Sequence, residues 1–163
     1  MPAAPAKPVR LKTHPLEELT FYIGRAYYNY KVLLERTLVE LGLDQHVRPG
    51  MGHILFALFE DDDCNIKDIV ARARLTFPTI TVLLTRMEKA SLVERRPDPD
   101  DGRAVRIRLT PVARSIEKRC YDALRRIRRV LHAGMTPRQV RRLKQLMSTM
   151  IDSMRTDIAR SLS

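Results

Sequence analysis

Between Asn65 and Leu109 the spacing of apolar residues switches from a helical period to a strand period, and few folds accept that order in so short a stretch. Ile66, Ile69, Val70 and Ala73 recur every three or four positions, as do Ile80, Leu83, Leu84 and Met87, which marks two amphipathic helices. Asn65, with Asp68 three residues on, resembles a capping box for the first. Thr76 can cap the second through its hydroxyl, and Pro78 falls in the first turn, where a missing N–H does no harm. Two helices joined by about three residues form a helix-turn-helix. Residues 92–96 and 103–109 then flank a turn of Pro97, Asp98, Pro99, Asp100, Asp101 and Gly102. Val105, Ile107 and Leu109 alternate with Arg106 and Arg108, giving one apolar and one basic face. The result is a β-hairpin, and its place directly after the second helix makes it a wing.

The flanking segments read as helices. Leu16, Leu19, Ile23, Ala26, Tyr27, Tyr30, Leu34, Leu38 and Leu41 form one long stripe that ends near Gly42. Pro49 opens a shorter helix through Glu60, whose core face is Ile54, Leu55, Leu58 and Phe59. Thr110-Pro111 and Thr136-Pro137 are each an N-cap followed by proline at the first helical position, and Gln139 completes a capping box at the second. The stripe of the first of these helices is Ile116, Cys120, Ala123, Ile127 and Leu131; that of the second is Val140, Leu143, Met147, Met150, Ile151, Met154 and Ile158. The expected fold is mainly α with a small β-wing: six helices, in which a winged helix-turn-helix over residues 46–110 sits between helical segments 14–45 and 111–163. A length of 163 residues suits one domain over 14–163. Residues 1–13 hold Pro2, Pro5 and Pro8 among Ala, Lys and Arg, too little apolar surface to offset chain entropy, so a disordered arm is expected.

Lys and Arg outnumber Asp and Glu by 30 to 19, a net charge of +11, which points to a polyanionic partner. The charge is concentrated: residues 67–129 hold 17 basic and 8 acidic side chains, net +9, against 13 and 11, net +2, in the rest. No run of about 18 apolar residues and no signal-like segment occurs, so a soluble cytoplasmic chain is expected, without membrane association. Cys64 and Cys120 have no paired spacing, and His14, His46, His53 and His132 are scattered, so neither a disulfide framework nor a metal site is expected. No phosphate-binding glycine motif, Ser/His/Asp set or metal cluster supports an enzyme, and no cofactor is implied.

With Ile80, Leu83, Leu84 and Met87 facing the core, the second helix of the pair turns Pro78, Val82, Thr85 and Lys89 outward, flanked by Thr76, Thr79, Thr81 and Arg86. Such a face fits the major groove of double-stranded DNA: N-terminal residues meet base edges and later basic residues meet phosphates. Thr79 and Thr81 can bond base edges or touch a thymine methyl, and Val82 can do only the latter; the bland alternative is a solvated helix face. Arg103 stands at an exposed wing tip, where a narrow minor groove attracts arginine, with Asp101 to orient it. Arg95, Arg96, Arg106 and Arg108 would lie along the strands near the DNA backbone.

These residues resemble the MarR (multiple antibiotic resistance regulator) family of transcription factors. The resemblance is carried by Pro78-Thr79-Ile80-Thr81, Arg86-Met87-Glu88-Lys89, Leu92-Val93-Glu94-Arg95 and Asp98-Pro99-Asp100-Asp101-Gly102-Arg103, running into Leu109-Thr110-Pro111. It is close over residues 66–114 and weaker over 16–160. It implies a homodimer whose first and last helices intertwine, a wing arginine in the minor groove, and a repressor whose operator affinity is lowered by a small ligand or by thiol oxidation. Dimerisation also follows from the residues, since Met147, Met150, Ile151 and Met154 need cover. Two-fold symmetry would set the two recognition helices about 34 Å apart and require a pseudo-palindromic operator. Two positions depart from the family pattern: Val82 stands where arginine is frequent, and Ser91 where glycine is.

The resemblance also implies a pocket for a small aromatic or anionic effector, for which Tyr27, Tyr30, His53 and Phe56 are the candidates; the alternative is ordinary packing. Cys64 follows an acidic run that blunts its reactivity, and Cys120 lies on an apolar stripe, so neither is placed like a redox sensor. Glu60, Asp61, Asp62 and Asp63 read as a solvated turn, and Arg125, Arg126, Arg128 and Arg129 as a solvated face or as contacts to flanking DNA. A second function class stays open, an architectural protein that binds DNA by charge with little sequence specificity.

Overall fold

The computed structural model describes residues 14–99, 101 and 104–161. The arm expected over 1–13, and Gly102 and Arg103 of the wing tip, lie outside the described residues. The chain divides into two compact units, Met1–Ala123 and Leu124–Ser163. A short 3-10 turn, Pro15–Glu17, is followed by α1 (Leu19–Glu40), α2 (Gly52–Glu60), β1 (Cys64–Asn65), α3 (Ile66–Ala73), α4 (Phe77–Lys89), β2 (Val93–Pro97), β3 (Val105–Leu109), α5 (Pro111–His132) and α6 (Pro137–Ser161). The six helices and the hairpin match the expected architecture.

The sheet has three strands, not two, in the order β1-β3-β2, with both pairings antiparallel. In β1, Cys64 and Asn65 pair with Ile107 and Arg106. Two residues carry no readable period, which is why β1 escapes a sequence reading. Two helix starts also differ. The Pro15–Glu17 turn precedes α1, which begins at Leu19 rather than Leu16. Pro49 does not open α2: with Gly50 at φ +93° it forms a tight turn closed by the Met51 amide donating to Arg48 O at 3.1 Å, and α2 begins at Gly52.

The core of the first unit draws on α1 to α5 and on all three strands. Leu43, Ile54, Leu58, Ile69, Ile80, Leu84, Met87, Leu92 and Ile107 are fully buried, with Ala113 and Ile116 from α5 beside them. Helix ends are tied into it by matching devices. At the end of α1 the Leu43 amide donates to Leu38 O (2.8 Å) and Gly42 to Val39 O (3.0 Å), with Gly42 left-handed at φ +61°. Arg119 of α5 caps the same terminus by donating to Leu41 O and Gly42 O at 3.3 and 3.1 Å. At the end of α4, Leu92 donates to Met87 O (2.8 Å) and Ser91 to Glu88 O (2.9 Å). Both are Schellman motifs, with a buried apolar pair, Leu38 with Leu43 and Met87 with Leu92, across each.

α1 uses little of its apolar surface within the unit. Thr37 and Leu38 are buried, whereas Leu19, Phe21, Tyr22, Tyr27, Tyr28, Val32 and Val39 are exposed. In the second unit Thr136 and Gln139 close the expected capping box: the Gln139 amide donates to Thr136 Oγ1 at 3.3 Å and the Thr136 amide to Gln139 Oε1 at 2.8 Å. There Leu143, Leu146, Met147, Ile151, Met154 and Ile158 are exposed. Among the described residues no helix is long and apolar enough to cross a membrane.

Ser91 holds φ +55° in the motif that ends α4, the conformation glycine takes without steric cost. Ser91→Gly is expected to raise stability by about 0.5–1 kcal/mol, read as a higher urea midpoint at unchanged slope. A midpoint at or below that of the parent would show that Ser91 is not strained.

Candidate nucleic-acid interface

α4 presents its outer face because its inner face is fully committed: Ile80, Leu83, Leu84 and Met87 are all buried. Thr76, Pro78, Thr79, Val82, Thr85, Arg86 and Lys89 are exposed, and Thr81 is half-buried. Thr76 does not cap the helix as expected. Its hydroxyl pairs instead with that of Thr79 at 2.8 Å, and Pro78 removes one of the two amides that a cap could use. The Thr81 hydroxyl donates to Phe77 O and the Thr85 hydroxyl to Thr81 O, each at 3.0 Å, so both turn back onto their own helix. Glu88, the only carboxylate on α4, accepts from Arg95 Nε at 3.2 Å. Arg86 and Lys89 make no ion pair among the described residues.

The wing is held at its base by an acidic turn. Asp61 pairs with Arg72 of α3, which also donates to Asp61 O at 3.1 Å. Asp62 Oδ1 accepts the Leu109 amide at 2.8 Å, where β3 ends, and its Oδ2 meets Arg114 of α5 at 2.8 Å. Asp63, left-handed at φ +54°, meets Arg106 Nε at 3.3 Å, and its carbonyl also accepts from that guanidinium. From the far side of the hairpin Asp98 Oδ2 takes Arg106 Nη1 at 3.3 Å, while Asp98 Oδ1 accepts the Asp101 amide at 3.3 Å. The turn read as solvated is therefore a clamp that joins α3, β3 and α5.

The clamp separates the wing arginines by role. Arg106 is tied down by Asp63 and Asp98 and is half-buried. Arg95 pairs with Glu88 and Arg96 with Glu94 at 2.7 Å. Arg108 is exposed and makes no ion pair among the described residues. Asp101 is exposed and Arg103 lies outside the described residues. Residues that sequence reasoning passed over are Asp62, Asp63 and Asp98, whose partners lie up to 52 positions away, and Phe77, exposed at the first position of α4. Only Phe77 carried a local signal, an aromatic residue just ahead of the outward proline.

The effector candidates are not brought together as one lining. Phe56 packs with Phe59 and Tyr121, ring centroids 5.9 and 5.2 Å away, and Phe59 lies 5.9 Å from Tyr121. Tyr27, Tyr30 and His53 are exposed. Cys64 and Cys120 are both buried. Burial raises the Cys64 thiol above its ordinary range, with Asp61, Asp68 and Asp62 adding to the shift and Arg72 opposing it. Burial pushes Cys120 up to about 11, so at neutral pH it holds almost no thiolate. In the second unit Arg125, Arg126, Arg128 and Arg129 are exposed, as are Arg138, Arg141, Arg142 and Lys144.

The geometry is that of a winged helix-turn-helix: two short helices joined through a left-handed Arg74, an outward second helix, and a pinned hairpin. Residues 49–105 match the model of the MarR family. Over 141 residues the chain is 28% identical to the HTH-type transcriptional repressor IacR of Pseudomonas putida, covering 86% of this chain and 82% of that one. The PcaV transcriptional regulator of Streptomyces coelicolor, solved with its natural ligand, shares the fold with a TM-score of 0.73 at 19% identity, over 88% of this chain and 99% of its own. BpsR of Bordetella bronchiseptica, solved to explain regulation of its DNA binding by 6-hydroxynicotinic acid, does so with a TM-score of 0.72 at 22% identity, over 86% and 97%. The chain is thus similar to the MarR family over residues 49–105 and to an HTH-type transcriptional repressor over most of its length.

Asp62→Ala is expected to cost about 1–3 kcal/mol, because the Leu109 amide loses its partner. Asp61→Ala, whose side chain is 62% exposed, is expected to cost less than about 1 kcal/mol. Urea unfolding of the two variants checks the ranking, and equal losses would remove Asp62 from its place in the clamp.

Proposed function

We propose that this protein is a homodimeric, sequence-specific regulator of transcription that acts in the cytoplasm by binding duplex DNA, not by catalysis. α4 enters the major groove. Arg95, Arg96 and Arg108 lie along the DNA backbone, and Arg103 enters the adjacent minor groove, oriented by Asp101. The observation that carries the reading is the outer face of α4, backed by four buried residues, free of any unpaired carboxylate, and ending in Arg86 and Lys89. Its likeness to a transcriptional repressor over most of both chains supports repression. The exposed apolar faces of α1 and α6 support a dimer, because surfaces of that kind are covered in soluble proteins.

Release by a small aromatic or anionic effector belongs to the same proposal. It is supported by the ligand-bound PcaV and the 6-hydroxynicotinic acid control of BpsR, and in this chain by the Phe56, Phe59 and Tyr121 cluster beside the exposed His53 on α2. A pseudo-palindromic operator follows from the two-fold axis.

Equilibrium competition tests specificity. A duplex selected from a random library by the full chain is expected to bind about 10³-fold or more tighter than random duplex. Values within about tenfold of each other would replace the regulator by an architectural protein that binds by charge alone. Arg103→Ala is expected to weaken the selected duplex strongly while leaving the dimer intact in sedimentation, and unchanged affinity would remove the minor-groove contact.

A further inference from the structure

We propose that α4 reads its half-site chiefly through the C5-methyl groups of thymines, with Phe77 and Val82 as the specificity-determining contacts. This rests on the DNA-binding reading above and adds what that surface selects. Among the described residues between 49 and 110, the large apolar side chains left exposed are Phe77, Val82 and Val105, at 53%, 52% and 36%. Two of the three lie on α4. Phe77 is in its first turn and Val82 five residues further on, about 7.5 Å along the axis.

The polar groups around them are largely used up. Four threonines, Thr76, Thr79, Thr81 and Thr85, are the only polar uncharged side chains of α4 and its cap. Three of their four hydroxyl protons are committed, one between Thr76 and Thr79 and two to the helix carbonyls of Phe77 and Thr81. With its proton bound to its own helix, a threonine no longer donates to a base edge and offers a ligand its γ-methyl beside the acceptor lone pairs of its oxygen. No Asn or Gln stands on the helix to make a bidentate bond to adenine, and the cations Arg86 and Lys89 sit in its second half. Pro78, Val82 and the methyls of Thr81 and Thr85, with Phe77 at one edge, thus make an apolar reading strip rimmed by positive charge.

That combination selects one occupant. A core-forming protein surface has no need of the flanking cations, whereas the major-groove edge of thymine offers a methyl group between two strands of phosphate. Glu88, the one group that would repel phosphate, is neutralised by Arg95. The site should therefore distinguish thymine from cytosine by the methyl it buries, and it should be indifferent to much of the hydrogen-bond code.

Deoxyuridine isolates that methyl, since it keeps every base-pairing and major-groove acceptor group of thymine. Each thymine of a duplex selected by the full chain is replaced singly by deoxyuridine, and affinity is measured at fixed salt. Removing one contacted methyl is expected to weaken binding about three- to fivefold. Val82→Ala and Phe77→Ala proteins, whose altered side chains are exposed and leave the core untouched, are each expected to lose sensitivity at one thymine per half-site and to keep it at the others. Tight, specific binding that no deoxyuridine weakens would overturn the inference while leaving the DNA-binding reading intact. If the library yields no preferred duplex at all, that reading fails and takes this one with it. Should either substitution instead shift the oligomeric state in sedimentation with deoxyuridine sensitivity unchanged, the strip is an interface between copies and the inference is wrong.

Discussion

One carboxylate organises the lobe. Asp62 ends β3 by accepting the Leu109 amide and begins α5 by holding Arg114, so strand and helix meet on a single side chain. Its neighbours extend the same turn outward, Asp61 to Arg72 on α3 and Asp63 to Arg106 on β3. Charged hydrogen bonds of this kind are stronger than neutral ones, and those of Asp62 and Asp63 tie β3 to the acidic turn. The other end of the lobe is fixed by backbone instead. Leu92 and Ser91 close α4 onto its own carbonyls, and the Thr110 hydroxyl donates to Ser91 O at 2.6 Å, which ties the helix end to the foot of α5.

This arrangement gives the excess of positive charge two distinct uses. Arg72, Arg106 and Arg114 are spent on pairs within the protein, each meeting a carboxylate of the acidic turn. Arg86, Lys89 and Arg108 remain exposed without such a pair among the described residues. A sequence count gives both groups equal weight, although only the second can neutralise phosphate without first breaking an internal contact. The dimer proposed from the exposed stripes of α1 and α6 would present two such cationic surfaces and raise affinity through two-fold engagement.

Period carried most of the fold into view. The inward residues of α4 were named by spacing alone, and Ile80, Leu83, Leu84 and Met87 are buried. Asn65 caps α3 through the Asp68 amide as its spacing implied. Ser91 was visible as a departure from glycine, and its left-handed backbone explains why glycine suits the position. What stayed hidden depends on distant partners or on rotamers. β1 is two residues long and exists because β3 lies beside it. The acidic turn looked solvated because its arginines come from three other elements. The direction of the Thr81 and Thr85 hydroxyls, which decides what α4 offers a base, is set by carbonyls four residues back. At the candidate interface the outward positions were legible, but their chemistry was not: hydroxyls that read as base-edge donors are bound to their own helix, and Arg106 is held within the wing.

In the proposed complex the outer face of α4 is the surface that meets duplex DNA. Site-specific photo-crosslinking tests it most directly, with a benzophenone side chain placed at Val82 in one protein and at Lys118, 87% exposed on α5, in another. Irradiation with a selected duplex should capture DNA from position 82, with unlabelled selected duplex suppressing the product, and should capture none from position 118. Capture from position 118 and not from 82, in proteins that still shift the duplex in a gel, would contradict the account.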